Sequence, residues 1–150
     1  MRQRASLSQT LAVVAIGAGL TAALVVSACS SPLDLLLTGV ELHVDATAYA
    51  AGDTVGMTLI NGSDEDIDYS LCSGTVLEQR VSGVWGDAPS QPPANCVGGF
   101  TRLKKGQQAT GELPLPGDLG EGDYRFRTRV QAVGPNTLQD IASNAFRVSP

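Results

Sequence analysis

Few side chains in this 150-residue sequence could take part in chemistry. His43 is the only histidine. An acyl-transfer or hydrolytic enzyme needs a nucleophile, a base and a group that orients the base. The motifs G-x-S-x-G, H-E-x-x-H and S-x-x-K are absent from the sequence. We therefore interpret His43 as a solvated strand residue, and we expect no catalytic residues.

The densest acidic run is Asp64-Glu65-Asp66, followed by Asp68. Carboxylate oxygens are the ligands that Ca²⁺ prefers. The spacing does not match the D-x-[DN]-x-[DN]-G calcium loop, because Gly62 precedes the acids instead of following them. Such a run of like charges is more typical of a solvated loop. We predict no metal site and no cofactor.

The N-terminus has the layout of a secretory signal peptide. Arg2 and Arg4 precede a stretch from Leu11 to Val26 that contains no charged residue, and small residues then lead into a cysteine. The four residues at this junction, Val26, Ser27, Ala28 and Cys29, resemble the lipobox of bacterial lipoproteins. The alternatives are an ordinary cleaved signal peptide, or a transmembrane anchor with a chance cysteine.

The resemblance to the lipobox implies that the chain is cleaved after Ala28 and that the thiol of Cys29 carries acyl chains such as palmitate. Residues 1–28 would then be the signal peptide, residues 29–39 a lipidated tether and residues 40–150 the folded domain. Ser30, rather than an aspartate, follows Cys29. This favours the outer membrane over the inner one if the organism has two membranes.

The net charge of the chain limits which binding partners it can have. Arg2 and Arg4 are two of the 10 basic residues, so the chain without residues 1–28 has 8 basic and 15 acidic side chains and a net charge of −7. Such a chain is repelled by nucleic acids and by anionic headgroups. We therefore expect no nucleic-acid partner, and we expect the membrane contact to be the lipid itself, because two acyl chains hold stably.

The remaining cysteines, Cys72 and Cys96, are an even number in an exported chain, so we predict that they form a disulfide. The loop would hold about 25 residues and contribute about 3.5 kcal/mol in the chain-entropy model. A metal pair or a redox pair is the alternative. The sequence has no C-x-x-C motif and no histidine near either cysteine.

The hydrophobic pattern after Gly39 has a period of two, which indicates strands. Turn signals recur at 8–12-residue spacing, so we predict an all-β, antiparallel β-sandwich of about seven strands. In the first predicted strand, alternate residues from Val40 to Ala48 point inward. The other predicted strands lie around Val55–Leu59, Ile67–Leu71, Thr75–Val81, Val97–Lys104, Gln108–Leu115, Tyr124–Val133 and Ile141–Val148.

The segment from Leu119 to Tyr124 looks like the tyrosine corner of Greek-key sandwiches, in which a tyrosine hydroxyl bonds the backbone a few residues upstream. From about Val40 to Val148 the chain also resembles a bacterial immunoglobulin-like domain family of small exported proteins. The resemblance is carried by Tyr49, Gly52, Val55, Asn61-Gly62-Ser63, Ile67-Asp68-Tyr69, Leu71-Cys72, Leu77-Glu78, Gly83, Trp85, Cys96, Gly122, Tyr124-Arg125, Ser143-Asn144 and Phe146. It implies a single immunoglobulin-like (Greek-key) antiparallel β-sandwich.

Arg125, Arg127 and Arg129 line the outer face of one predicted strand. They could bind an anion, but we favour neutralisation by carboxylates on the neighbouring strand, and we expect these to be Asp66 and Asp68.

The B–C and F–G loops of immunoglobulin-like domains often carry recognition. The corresponding segments here are Gly62–Asp66 and Gly134–Asp140. They make Asp64, Asp66, Asn136 and Leu138 candidate recognition residues.

These observations favour a lipid-anchored protein of the cell envelope whose domain binds an envelope or extracellular protein without catalysis. A protease inhibitor is the second hypothesis, because the proline-rich segment Asp87–Asn95 could enter a protease cleft. A structural subunit of an envelope assembly is the third hypothesis.

Overall fold

A computed structural model describes residues 37–93, 99–134 and 137–149, all of which belong to one compact unit, 32–150. No helix occurs in these residues, so none of them lies in a helix that could span a bilayer. They form the strands β1 (Val40–Val44), β2 (Ala48–Ala50), β3 (Thr54–Asn61), β4 (Ile67–Tyr69), β5 (Thr75–Val81), β6 (Val84–Asp87), β7 (Thr101–Leu103), β8 (Gln108–Pro114), β9 (Gly122–Ala132), β10 (Leu138–Ala142) and β11 (Phe146–Ser149).

The strands form two sheets. The smaller sheet has the order β1-β3-β8, and both of its pairings are antiparallel. The larger sheet is built around β9, which pairs with β10 and β11 on one side and with β4 and β5 on the other. At its margins β2 adds to β11, β7 adds to β4, and β6 adds to β5. The two sheets pack as a sandwich, which confirms the predicted all-β class, although the described residues form eleven strands instead of about seven and β2 pairs with β11 in parallel.

Alternation of apolar and polar residues explains why each sheet buries one face. In β1 the residues Val40, Leu42 and Val44 are buried while the residues between them are exposed. In β9 the pattern continues for eleven residues, with Tyr124 and Phe126 among its buried side chains. The predicted inward faces are confirmed for Val40–Val44 and for β9. A period of two places every second side chain on the same face of a sheet.

Aromatic rings occupy the core at the end of the sandwich where β9 begins. The Phe146 ring centroid lies 5.1 Å from that of Tyr49, 5.7 Å from that of Phe126 and 6.3 Å from that of Tyr124. Tyr124 is 1% exposed, and its hydroxyl donates a 3.0 Å hydrogen bond to the carbonyl oxygen of Gly120. The expected burial of Tyr124 and its upstream backbone bond are confirmed.

The first predicted strand is too long. Ala46 and Ala48 do not face inward; both are exposed. The reason is that the chain leaves the smaller sheet after Val44 and joins the larger one, where β2 runs parallel to β11. The Asp45 amide bonds the Gly56 carbonyl oxygen at 3.0 Å, and this is the last contact with β3 before the crossing.

The predicted final strand, Ile141–Val148, is two strands. Residues 143–145 separate β10 from β11 because polar side chains there satisfy backbone groups of other strands. The Ser143 hydroxyl oxygen accepts a 3.0 Å hydrogen bond from the Phe126 amide. The Asn144 Oδ1 accepts a 2.9 Å bond from the Val44 amide in β1.

The strand β6 was not predicted as a separate strand. It follows β5 through the two-residue turn Ser82-Gly83, with Val81 paired to Val84. The φ angles of Ser82 and Gly83 are 51° and 85°, which is the left-handed geometry of a type I′ hairpin turn. This turn matches the right-handed twist of the strands, so β5 and β6 project together as a hairpin.

Candidate functional site

The outer face of the larger sheet is an ordered array of charges. Residues paired across neighbouring strands point to the same side of a sheet. Glu78 in β5 lies between Arg125 in β9 and Asp87 in β6. On the next rows of β9, Ala142 flanks Arg127 and Asp140 flanks Arg129. The three arginines predicted to share an outer face do so.

Glu78 is the centre of this array. Its side chain is only 8% exposed, and it accepts hydrogen bonds from Arg125 Nε at 2.6 Å and Arg127 Nε at 2.7 Å. Burial alone would raise the pKa of Glu78, but the hydrogen bonds and charges of the two arginines outweigh it, and the pKa is lowered from 4.5. The carboxylate therefore stays ionised and holds both guanidinium groups in place.

Two further carboxylates complete the neutralisation. Arg127 also contacts Asp140 at 2.8 Å and Asp87 at 3.2 Å, and Arg129 contacts Asp140 at 2.9 Å. Hydrogen bonding from Arg129 lowers the pKa of Asp140. The expected neutralisation is confirmed, but the expected partners are wrong.

Asp66 and Asp68 lie elsewhere because β5, not the short β4, is the neighbour of β9 along the arginine rows. Asp68 pairs with Arg102 at 3.0 Å. Asp66 accepts the Lys105 amide at 3.1 Å.

Trp85 lies at the edge of the array, in β6. The guanidinium carbon of Arg125 is 4.5 Å from its ring centroid, and that of Arg80 is 5.9 Å away. A cation within about 6 Å of a tryptophan ring is attracted by the ring quadrupole. Because Arg125 is already fixed by Glu78, the ring rests against an ordered surface.

The tip of the β5–β6 hairpin is apolar and exposed. Val81 is 62% exposed and Val84 is 71% exposed. On the inner side of the hairpin, where the smaller sheet does not reach, a shallow groove has a volume of about 290 Å³. It is lined by Gln79, Val81, Val84, Trp85, Gly86, Asp87 and Pro89. We define Val81–Asp87 together with this groove as the hairpin surface.

The hairpin surface was missed by the sequence analysis. Its signal was the Ser-Gly dipeptide between two valines, which is typical of a tight turn. The chain around it is Val81-Ser82-Gly83-Val84-Trp85. Val81 and Val84 flank the turn directly, and the hydrophobic core does not extend to the tip of the hairpin. Both side chains are therefore exposed.

The other candidate residues do not assemble into a site. His43 bonds Glu41 at 2.9 Å on the exposed face of β1. Asp64 is exposed in the turn between β3 and β4. Within residues 37–93, 99–134 and 137–149, no three histidine, cysteine or acidic side chains come together as metal ligands.

The predicted loop Gly134–Asp140 is wrong in its boundaries. Leu138 to Asp140 belong to β10, because they pair with Gln131 to Arg129 in β9. Leu138 is nevertheless 60% exposed. Asn136 lies outside the described residues, as do the lipobox residues Val26 to Cys29.

Cys72 is half-buried beside the core and is disulfide-bonded. Its predicted partner, Cys96, lies outside the described residues, so the pairing remains a prediction. The described part of the proline-rich segment is tied to the sandwich. The Gln91 side chain accepts the Leu77 amide at 2.8 Å and donates to the carbonyl oxygens of Leu77 and Ala88 at 2.9 Å each.

Comparison with known proteins assigns no family to the chain. No protein-family model matches it, and no curated protein matches it. The sporulation control protein Spo0M from Bacillus subtilis is 15% identical with a TM-score of 0.46 over 74% of this chain, which spans about half (49%) of that protein. The structural-genomics target SoR45 is 16% identical with a TM-score of 0.46, covering 75% of this chain and 88% of that one. A PapD-like domain of human CEP192 is 15% identical with a TM-score of 0.37, covering 73% and 85%.

Proposed function

We propose that this chain is a lipid-anchored protein of the cell envelope whose β-sandwich binds another protein without catalysis. The anchor is proposed from the lipobox-like residues and rests on Cys29. The binding role is carried by one observation, the hairpin surface. It presents Val81 and Val84 to solvent beside a tryptophan that two arginines contact.

Tryptophan and arginine are enriched among residues that contribute most to protein interfaces, particularly where apolar neighbours exclude water. An ordered surface also loses less conformational entropy on binding than a mobile one. Glu78 and Arg125 restrict the surroundings of Trp85 before any partner arrives. These properties favour a binding role over that of a solvated, featureless face.

We further propose that the sandwich is immunoglobulin-like. In support, β2 adds parallel to β11 while β1 pairs with β3 in the other sheet, so that the N-terminal segment contributes to both sheets. The order β11-β9-β5-β6 against β1-β3-β8 agrees with the strand neighbours of such domains. The Tyr124 hydroxyl bond to Gly120 fits a tyrosine corner at the start of the central strand.

The anchor is tested by labelling cells with a fatty-acid probe. The wild type is expected to incorporate the probe, and Cys29→Ser is expected to remain an unlabelled precursor, because only a thiol accepts the lipid in this motif. Cys72→Ser is the matched control and should label normally. Equal labelling of Cys29→Ser and the wild type would end the proposal of a lipoprotein.

Protease inhibition is the second candidate function. The specific observation in its favour is that the described part of the proline-rich segment, up to Pro93, is tied to the sandwich: Gln91 bonds β5, and the Ser90 hydroxyl donates to Asp118 at 2.6 Å. An inhibitory loop must resist cleavage, and an ordered loop does so. A panel of serine and cysteine proteases, assayed for slowed turnover and for cleavage of this chain, distinguishes inhibition from binding alone.

A further inference from the structure

Among residues 37–93, 99–134 and 137–149, the strand β6 pairs with β5 alone, so its other edge is unpaired within this part of the chain. In an antiparallel pair, hydrogen-bonded residues alternate with non-bonded ones. The Ala88 amide bonds the Leu77 carbonyl oxygen at 2.9 Å, so in this register Gly86 and Val84 also bond β5. The backbone groups of Trp85 and Asp87 therefore point away from β5, toward the free edge.

The inner side of this edge has room for a side chain. A Cβ built at Gly86 meets no atom within 4 Å. The glycine thus leaves a gap in the groove between Val84 and Pro89. A strand added beside β6 would direct alternate side chains to the two faces of the sheet. One of them would enter the groove at Gly86, where its neighbours are largely apolar.

The outer side of the same edge carries a charge. The Asp87 side chain contacts Arg127 at 3.2 Å. It is nevertheless 68% exposed, so a residue of an added strand could also reach it. A basic residue on an added strand, placed next to Asp87, would meet an opposite charge across neighbouring strands, which is a stabilising arrangement.

The hairpin surface lies at the far end of the domain from the point where the chain enters it. Leu37 bonds Gln139 in β10 through a 2.6 Å contact, and β10 pairs with the last residues of β9. The hairpin extends beyond the first residues of β9, because Gln79 pairs with Tyr124. The ten residue steps of β9 separate the two ends by about 33 Å.

This placement sets the orientation at a membrane, provided that Cys29 is lipidated as in the proposed function. Eight residue steps join Cys29 to Leu37 and reach at most about 29 Å. The end of the sandwich that holds Leu37 therefore stays within about 29 Å of the bilayer, which favours an orientation with the hairpin surface facing away from the membrane. The predicted recognition loop Gly62–Asp66 lies at the membrane side, since the Gly62 amide bonds Gly39 at 2.8 Å.

We propose that the free edge of β6 binds an extended peptide segment of a partner protein as an added strand, with an apolar side chain in the groove at Gly86 and a basic one beside Asp87. A second copy of this chain fits less well. Two β6 strands paired through Trp85 and Asp87 would place glycine opposite glycine and leave both grooves empty. Two chains that each carry a net charge of −7, counted from Cys29, also repel each other.

The test uses the mature lipoprotein in lipid nanodiscs and a displayed library of random decapeptides. Selected peptides are expected to alternate apolar and polar residues and to carry a lysine or arginine. Trp85 is the only tryptophan in the chain, so its fluorescence reports binding at this edge directly. Titration of the best selected peptide gives its affinity for each variant.

Gly86→Val adds a side chain to the groove whose Cβ meets no atom within 4 Å, and it should weaken peptide binding at least tenfold while the domain stays folded. Gly117→Val is the matched control, because a Cβ there also meets nothing within 4 Å, and it should bind as the wild type does. Asp87→Lys should shift the selected peptides from basic to acidic residues. Equal affinity of Gly86→Val and the wild type would overturn the proposal, and so would a dimer in sedimentation that buries the same edge.

Orientation is measured separately with brominated lipids in the nanodisc. Trp85 emission should be unaffected, and quenching would overturn the membrane-distal placement. Peptide binding in detergent does not depend on the anchor. A peptide site that persists while Cys29 labelling fails would therefore refute the proposed lipidation, and not the binding edge.

Discussion

Replacing Glu78 with glutamine tests whether the charge array on the outer face stabilises the domain. The Glu78 side chain is 8% exposed and accepts hydrogen bonds from two arginines. Removing one partner of a buried ion pair costs about 3–5 kcal/mol. Both arginine side chains are about one-quarter exposed, and Arg127 keeps Asp140 and Asp87 as partners. We therefore expect the smaller loss of about 1–3 kcal/mol in the free energy of unfolding.

The assay is urea unfolding followed by the fluorescence of Trp85. Asp68→Asn is the matched control, because it removes the same charge from a pair whose side chains are 53% and 31% exposed. Exposed pairs contribute about 1 kcal/mol or less. If Glu78→Gln and Asp68→Asn lower the free energy of unfolding by the same amount, Glu78 is not the centre of a buried network. That result would refute our account of the outer face.

The pH dependence of stability gives an independent check. The pKa of Glu78 is lower in the folded protein than its ordinary value of 4.5. Its contribution is therefore complete above about pH 4.5 and disappears as the pH falls through the lower pKa of the folded state. The Glu78→Gln variant should show a shallower loss of stability in this acidic window. A variant whose curve runs parallel to that of the wild type there would contradict the lowered pKa.

Two further substitutions test the core and the covalent bond. Tyr124→Phe keeps the ring buried and loses the 3.0 Å bond to Gly120, so we expect a loss of about 0.5–1.5 kcal/mol in urea titration, against about 3–5 kcal/mol for Tyr124→Ala. Indistinguishable curves for Tyr124→Phe and the wild type would remove the energetic role of the corner. For the pair Cys72 and Cys96, alkylation of the oxidised protein should modify neither thiol, and reduction should lower the free energy of unfolding by up to about 3.5 kcal/mol.

Strands with a buried and a solvated face could be predicted from the sequence because their pattern is local. The alternation in β1, β3 and β9 is visible in the residues themselves. The crossing of the chain between sheets after Val44 could not be predicted in this way. It depends on the bonds of Val44 to Asn144 and of Asp45 to Gly56, whose partners are 100 and 11 positions apart in the sequence.

The partners of the arginine rows were wrong for a related reason. The predicted strand Ile67–Leu71 is shorter in the structure, as β4, and a turn at residues 70–74 separates it from β5. On that side of β9 it is β5, and not β4, that runs beside Arg125 and Arg127, so Glu78 takes the place expected for Asp66 and Asp68. Alternation shows which face a residue occupies, but the residue that lies across from it depends on register, which a turn of a few residues shifts.

Most arginines of the domain are neutralised by carboxylates, so the outer face is an ordered surface and does not attract anions. All six arginines beyond residue 37 lie on the outer face of the larger sheet, and five of them have a carboxylate within 4.0 Å. An anionic ligand would have to displace Glu78 from contacts of 2.6 and 2.7 Å that are shielded from solvent. A partner that approaches the edge of β6 displaces no such contact, because it uses backbone groups and an open groove. The ion pairs that exclude an anion from this face therefore also fix Arg125, which contacts the Trp85 ring at the edge of the face.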